Sequence, residues 1–496
     1  MSAVLAIDQG TTGSRALCYG HRALPIASSY QEFHQYYPSP GCVEHDPFEI
    51  WKSVLAVSQS ALTRAKTRSS QLAAIGITNQ RETTILWDKK SGKPVYRAIV
   101  WQDRRTAAIC GQLKKRGLEP LFRKKTGLIL DPYFSGTKIT WLLDHIPGLR
   151  RRAKKGEILF GTIDTWLLWN LTGGKVHATD ATNASRTLLY NIRKRDWDRE
   201  LLKLLNVPQE ILPEVKDSGS DFGKTASVGP FKSGVPILAL MGDQQSALYG
   251  QSCYTEGSVK NTYGTGCFAV LNLGKHYHPP PFGLLTTLAC DKQGKPAYAL
   301  EGAIFIGGAA LQWLRDGLKF FVKASETEKL ARRVKDTGGV TVIPALTGLG
   351  SPYWNPHVRG QITGLTRGTT REHIIRATLE ALAHQNADML EGMQKGSGRP
   401  IRELKVDGGA TSNRFLMQFQ ADLLGIPVWV SDIAESTVWG AAKLAGRVAG
   451  FWNERQMERK RKYLRFVPAM KVALRKRLRS RWKKEVAYLL ARDADI

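Results

Sequence analysis

Cysteine is scarce in this sequence. There are six among 496 residues, at Cys18, Cys42, Cys110, Cys253, Cys267 and Cys290. None stands in CxxC spacing, and no histidine accompanies a pair at zinc-site spacing. A disulfide scaffold and a zinc finger are therefore excluded, and free, mostly buried thiols are expected. Long apolar runs are also lacking. No stretch approaches the roughly 18 uncharged residues of a membrane-spanning helix. The start, Met1-Ser2-Ala3-Val4-Leu5-Ala6-Ile7-Asp8, has no basic region before its short apolar run, so no signal peptide is expected. These absences together point to a cytoplasmic protein. Acidic residues are few as well: 43 against 72 Lys and Arg, a formal charge of +29. That imbalance invites a nucleic-acid or anionic-membrane reading, which must compete with the motifs.

What is present is an ordinary globular composition, 42% hydrophobic and 23% charged, enough to form a core without staples. Val4–Ile7 and Ser14–Tyr19 read as strands around the turn Gly10-Thr11-Thr12-Gly13. Ser258–Tyr263 and Cys267–Leu273 repeat the device around Gly264-Thr265-Gly266. Asp46-Pro47-Phe48-Glu49 opens a helix with an acid at the N-cap and Pro at the first helical position. Helices are expected over Asp103–Arg116, Ala303–Leu318, Arg371–Met393 and Asn413–Leu424. Strands are expected over Leu72–Ile77, Val95–Trp101, Val235–Met241, Ala297–Leu300 and Leu404–Val406. Two α/β domains facing each other fit this order, with residues 1–250 and 251–452 as the two units. Residues 453–496 form a basic helical tail.

The Gly-Thr turns can be ordinary hairpin turns or can carry chemistry. In Asp8-Gln9-Gly10-Thr11-Thr12-Gly13-Ser14-Arg15, glycines allow close approach of backbone N–H groups, hydroxyls add donors, and Arg15 adds a charged fork. This suits phosphate oxygens. It is not GxxxxGK[ST], so a Walker loop is excluded. Asp8, at a strand end, is placed to hold Mg²⁺ through water. Tyr263-Gly264-Thr265-Gly266 and Asp407-Gly408-Gly409-Ala410 repeat the pattern, and three such loops fit one nucleotide held between two halves. Asp243 follows an apolar strand and can serve as a general base or as a plain helix cap. Arg81-Glu82 can bind neighbouring hydroxyls of a polyol, or form a solvated pair. Trp101 and Phe268 can cover ligand carbons, or belong to the core.

Several stretches are similar to one family. They are Asp8–Arg15 (DQGTTGSR), Gly76–Thr84 (GITNQRETT), Trp101–Thr106 (WQDRRT), Gly161–Trp166 (GTIDTW), Gly242–Leu248 (GDQQSAL), Asn261–Phe268 (NTYGTGCF), Pro344–Trp354 and Asp407–Ala410 (DGGA). They resemble the FGGY carbohydrate kinases from Val4 to about Trp452, and Asn79–Thr83 resembles the glycerol-phosphorylating branch. The resemblance implies an α/β fold of two ribonuclease-H-like (actin/hexokinase-like) domains with an interdomain cleft. It implies transfer of the ATP γ-phosphoryl group to glycerol, giving sn-glycerol 3-phosphate, with Mg²⁺. By that resemblance Arg81, Glu82, Trp101, Tyr133, Asp243, Gln244 and Phe268 would bind glycerol, with Asp243 as base. Thr11, Thr12, Ser14, Arg15, Thr265, Gly308, Gln312, Gly409 and Asn413 would hold ATP, and Asp8 and Asp243 the metal. A homo-oligomer, dimer or tetramer, is expected.

Some devices of the family look absent. The stretch Gly229–Val235 lacks the Gly-Thr-Arg pattern of a fructose 1,6-bisphosphate loop. No histidine falls between His177 and His276, where some members are phosphorylated. The segment that docks a sugar-transport regulator in some relatives differs too, reading Pro468-Ala469-Met470-Lys471-Val472.

The rival class is a basic binding protein. Its support is the segment Arg455–Lys484, with fourteen Lys and Arg against one acid. Leu474, Leu478, Trp482 and Val486 recur there at helical spacing. That stripe either packs on the body or leaves a basic amphipathic helix for anionic lipid or nucleic acid.

Overall fold

The structure is a computed structural model. It describes residues 2–281, 283–431, 435–458 and 463–494, with side chains described to residue 492. The first half begins with the expected hairpin, β1 (Ala3–Gln9) and β2 (Gly13–Tyr19), extended by β3 (Pro25–Glu32). Helix α1 (Pro47–Arg64) starts where its cap demands: the Asp46 carboxylate accepts from the Phe48 amide at 2.7 Å. Then come β4 (Leu72–Asn79), β5 (Ile237–Gly242) and α2 (Asp243–Gly250). The five strands form one sheet in the order β5-β4-β1-β2-β3.

The second half uses the same plan. β6 (Val259–Tyr263), β7 (Cys267–Gly274), β8 (Leu285–Cys290) and β9 (Pro296–Ile304) are followed by α3 (Gly308–Asp316) and the long α4 (Arg371–Ser397). β10 (Leu404–Asp407), α5 (Arg414–Leu424), β11 (Val428–Ser431), α6 (Ser436–Val448), β12 (Tyr463–Phe466) and α7 (Val472–Ala494) complete it. The sheet order is β8-β9-β7-β6-β10-β11-β12. In each sheet a central strand pairs antiparallel with the next strand in sequence and parallel with a later one. The two halves therefore share a core of antiparallel strands extended by parallel ones, three antiparallel strands in the first sheet and four in the second, where β12 closes the far edge antiparallel to β11.

Burial follows the period of the strand. Ala3, Leu5 and Ile7 point to one face of β1, and Val4 and Ala6 to the other. The first face packs on α1 with Trp87 and Trp166. The second packs on α6, which comes from the other half of the chain. The helices thus cross over: α6 covers the first sheet, while Leu248 of α2 packs with Val270, Ala289 and Ala299 of the second. Gly440 makes this approach possible. A Cβ there would lie 1.9 Å from the Ser246 carbonyl oxygen of α2.

The structure corrects several element expectations. The span expected as a helix from Ala303 begins as the end of β9, and the helix starts only at Gly308. The expected helix Asp103–Arg116 starts at Ala107, because the Asp103 carboxylate instead accepts from Val43 N and Arg105. Only Ala98–Ile99 of Val95–Trp101 is strand. The segment expected as a helical tail over 453–496 is not helical throughout, because Tyr463–Phe466 joins the second sheet as β12 and the long helix starts only at Val472, with its apolar stripe packed on the body. Trp482 and Val486 are buried with Ile343, Leu349 and Ala381, Leu478 is partly buried, and Leu474 remains exposed. The Trp482 ring stacks on His384, and its Nε1 donates to Asp388 at 2.6 Å. No helix among the described residues is long and apolar enough to cross a membrane.

Candidate active site between the two sheets

The site gathers at the ends of β1, β4 and β5. Asp8 is on β1, the Gln80-Arg81-Glu82 turn follows β4, and Asp243 is the first residue after β5. The turn is strained. Glu82 has φ of +59°, a region that β-carbon-bearing residues enter at some cost. Its carbonyl is held by Ser135 Oγ at 2.9 Å and by the buried Lys138 Nζ at 3.4 Å. Burial pushes the Lys138 amine down to about 8, against the pull of Glu82, Asp103 and Asp131.

From this turn a chain of buried charges crosses to the second sheet. Arg81 Nε stands 3.1 Å from Asp243 Oδ1. Arg81 Nη1 donates to Glu301 Oε2 at 2.5 Å, and Nη2 to Oε1 at 3.2 Å. Arg186 then bridges Glu301 Oε1 at 2.9 Å and Glu82 Oε1 at 2.5 Å. The order is Asp243–Arg81–Glu301–Arg186–Glu82, two guanidinium groups alternating with three carboxylates. Such a string is tolerable in a protein interior only because each charge has opposite neighbours. Burial opposes ionisation of Glu301, but Arg186 and Arg81 outweigh it and hold the carboxyl below its ordinary value. The Arg81 stem passes beneath β5 because residue 242 is glycine: a Cβ there would meet Arg81 Cδ at 2.6 Å.

Asp243 differs from the rest of the string in being accessible, with about a third of its side chain exposed. It is not the cap of α2, a position held by Gly242. Its Oδ1 accepts from the Gln244 amide at 2.7 Å, and its Oδ2 from Gln244 Nε2 at 3.3 Å. A solvent-reachable carboxylate with fixed orientation is chemically suited to take a proton. Asp8 is close enough to feel it. Burial first, and then the charge of Asp243, push the Asp8 carboxyl up to about 7, with Arg15 opposing. Two hard carboxylates this close to each other fit a divalent cation such as Mg²⁺. No group of three or more His, Cys, Asp or Glu placed for a metal occurs among the described residues. A cation here would complete its shell with water and phosphate, the habit of Mg²⁺.

Aromatic rings stand beside this string of charges. Tyr133 lies 5.6 Å from Trp101 in edge contact, its hydroxyl 3.5 Å from Arg81 Nη2. Trp101 Nε1 donates to Thr11 Oγ1 at 2.9 Å, which ties the first phosphate-type turn to the polyol side. Phe268, partly exposed, lies next to Lys260, whose Nζ is 3.4 Å from the Phe268 carbonyl. Of the residues expected at a polyol, Arg81, Glu82, Tyr133, Trp101, Asp243 and Gln244 are therefore joined by contacts, with Phe268 reached through Lys260.

The nucleotide-type loops form a second cluster. Thr265, exposed at the tip between β6 and β7, has its carbonyl bonded by the amides of Gly307 and Ala309. Gly308 N donates to Gly264 O at 2.9 Å. Gly408 packs on the Tyr263 carbonyl so tightly that a Cβ would stand 2.4 Å away, which brings the third loop beside the second. Gly409 and Gln312 are exposed at its rim, and Thr12 is exposed on the first turn. Three expected ligands are otherwise engaged. The Ser14 hydroxyl is fully buried and pairs with Ser53 Oγ at 2.7 Å, because β2 turns that side chain into the core. Asn413 caps α5 through Leu416 N at 2.9 Å and reaches Thr327 with its Nδ2. Arg15 is ion-paired with Glu435, at the N-cap of α6.

Three functional candidates escaped the sequence reading: Lys260, Arg186 and Glu301, all fully buried. For Glu301 the available signal was a charged residue inside an otherwise apolar strand, whereas Lys260 stands in a strand that is itself half polar. Lys260 stands between Val259 and Asn261, and Glu301 between Leu300 and Gly302.

Known proteins resemble the chain over nearly its whole length. Residues 3–250 match the N-terminal domain, and residues 259–449 the C-terminal domain, of the FGGY family of carbohydrate kinases. The chain is 55% identical to a glycerol kinase of Caldanaerobacter subterraneus over 97% of both chains. It is 54% identical to one of Thermus thermophilus over 98% of this chain and 99% of the relative. A solved glycerol kinase of Plasmodium falciparum with ADP superposes with a TM-score of 0.93 at 36% identity, over 99% of this chain and 98% of that one. A ligand-bound xylulose kinase of Lactobacillus acidophilus shares the fold, with a TM-score of 0.89 at 21% identity and full coverage of both chains.

Proposed function

This chain belongs to the FGGY family of carbohydrate kinases, and we propose that within it the chain phosphorylates glycerol at the expense of ATP, giving sn-glycerol 3-phosphate in glycerol catabolism. The observation that carries this reading is the accessible Asp243 carboxylate, oriented by Arg81 and Gln244 and close to Asp8. Full-length identity of 52–55% to proteins named glycerol kinase supports glycerol as the acceptor.

The mechanism follows from the groups present. Glycerol would seat its hydroxyls among Arg81, Glu82, Asp243, Gln244 and Tyr133, with Trp101 and Phe268 against its carbons. Asp243 takes the proton of the attacking hydroxyl. That oxygen forms a bond to the γ-phosphorus as the bond to the β,γ-bridging oxygen breaks, and ADP leaves. The transition state is loose, so alignment and charge stabilisation matter most. Thr11, Thr12, Thr265 and the backbone around Gly308 and Gly409 would cradle the phosphates. Arg15 would have to exchange Glu435 for phosphate. Ser14 and Asn413 would shape their loops rather than touch ATP. Asp8 and Asp243 would hold Mg²⁺ largely through water, and the ion would neutralise charge on the transferring oxygens. The reading also places the chain in the cytoplasm as a homo-oligomer, dimer or tetramer. Contact of the tail with nucleic acid or lipid is not needed for it.

A coupled ADP-release assay across glycerol, xylulose, ribulose and gluconate tests the substrate. Glycerol should give the largest kcat/KM, and ATP turnover without an acceptor should be slight. A preference for one of the sugars would move the chain to another branch of the family.

A further inference from the structure

Two buried charges of the second sheet converge on Asp243 without touching it. Glu301, on β9, grips both Nη atoms of Arg81, whose Nε holds Asp243 Oδ1. Lys260, on β6, donates to Gln244 Oε1 at 2.6 Å, and Gln244 Nε2 in turn donates to Asp243 Oδ2. Each oxygen of the carboxylate is thus held by a residue of the first half, and that residue is held by a charged side chain of the second. Lys260 and Glu301 are both 0% exposed.

A buried ammonium is costly unless it is well paired. Burial lowers the affinity of Lys260 for its proton, and Asp407, Asp243 and Glu301 partly restore it. Its remaining bonds are to Thr262 Oγ1 at 2.9 Å and, weakly, to the Phe268 carbonyl at 3.4 Å. All three of these acceptors, Gln244 Oε1 included, are neutral. Both side chains come from the sheet that carries the Gly264-Thr265-Gly266 turn. The aim of the base is therefore tied to the placement of the nucleotide half.

The geometry points to Lys260 and Glu301 as a pair of positioning residues that orient the Asp243 carboxylate through Gln244 and Arg81, so that the base is aimed only while the two halves are in this relation. The inference rests on the reading of Asp243 as base given above. A carboxylate free to rotate about its χ2 spends much of its time off the line of the hydroxyl proton, and misalignment of that size lowers the chemical step more than nucleotide binding.

Lys260→Met keeps the length of the side chain and removes the donor, and Glu301→Gln keeps the shape and removes the charge. Each should lower kcat by about tenfold to a hundredfold and leave KM for ATP within about twofold. Lys260→Arg should recover at least a third of wild-type kcat. Thermal unfolding establishes that each variant is folded. Should Glu301→Gln fail to fold, Lys260→Met carries the test alone. A folded Lys260→Met enzyme with kcat within about twofold of wild type would overturn the inference, as would one that loses ATP affinity while keeping kcat. Asp243→Ala, assayed alongside, separates the two ideas. If it is inactive while Lys260→Met is unaffected, the base assignment stands and the positioning role falls. If it is active, the base assignment itself has failed.

Discussion

His177 and Asp164 illustrate how single residues tilt the stability of this fold in opposite directions. His177 lies against Trp87 and Trp169, and its Nε2 is 2.8 Å from the Phe160 carbonyl. Burial brings its imidazole down to about 4, with the Phe160 contact opposing. The unfolded chain therefore binds an extra proton between about pH 4 and 6.5, and this group makes stability rise with pH over that window. Asp164 is the converse. Burial first, then the nearby Asp180, push it up to about 7, although Thr162 and Thr179 donate to it. Here the folded state holds the extra proton between about pH 4 and 7, so stability falls as pH rises. His177→Gln should remove the first slope and Asp164→Asn the second. Urea unfolding at pH 4.5, 5.5 and 6.5 should show the two variants diverging in opposite senses from wild type. Parallel curves would contradict the assignments.

At the scale of elements, the hairpin tips, the α1 cap and the long α4 were legible because their signals are local: Gly-Thr turns, Asp-Pro at a helix start, a 3.6-residue period. The boundaries that failed were decided at long range. Ala303 and Ile304 remain strand because they complete the ladder with Phe268 and Cys267. The site was half legible. Arg81, Glu82 and Asp243 stand in recognisable strings, whereas Glu301 meets Arg81 across 220 residues of sequence, a pairing that no local period announces. The burial of Ser14 follows from the alternation along β2, which sets its hydroxyl on the inward face against Ser53. The crossing of α6 over α2 was also hidden, since it depends on two glycines far apart in sequence, Gly250 and Gly440. Gly440→Ala should force the Ser246 carbonyl aside and cost about 1–3 kcal/mol of stability by overpacking. Chemical denaturation checks this, and an unchanged midpoint would show that the helices yield without cost.

For the whole molecule, the net charge of +29 is mostly a matter of surface. The reactive string is nearly balanced, and the densest basic segment belongs to a tail whose apolar stripe is packed on the second half. A positive field still favours encounter with anionic ATP, and salt should screen it. The ATP on-rate, measured by stopped flow, should fall severalfold between about 50 and 300 mM salt. A rate independent of ionic strength would remove any role for the charge in catalysis.

Asp243 is the residue on which the proposed chemistry turns. Turnover by Asp243→Ala, measured with saturating glycerol and ATP alongside direct nucleotide binding, isolates its role. The variant should bind ATP within about threefold of wild type and lose about 10²–10⁴-fold in kcat. Near-wild-type turnover with intact binding would contradict the assignment of the base and the mechanism built on it.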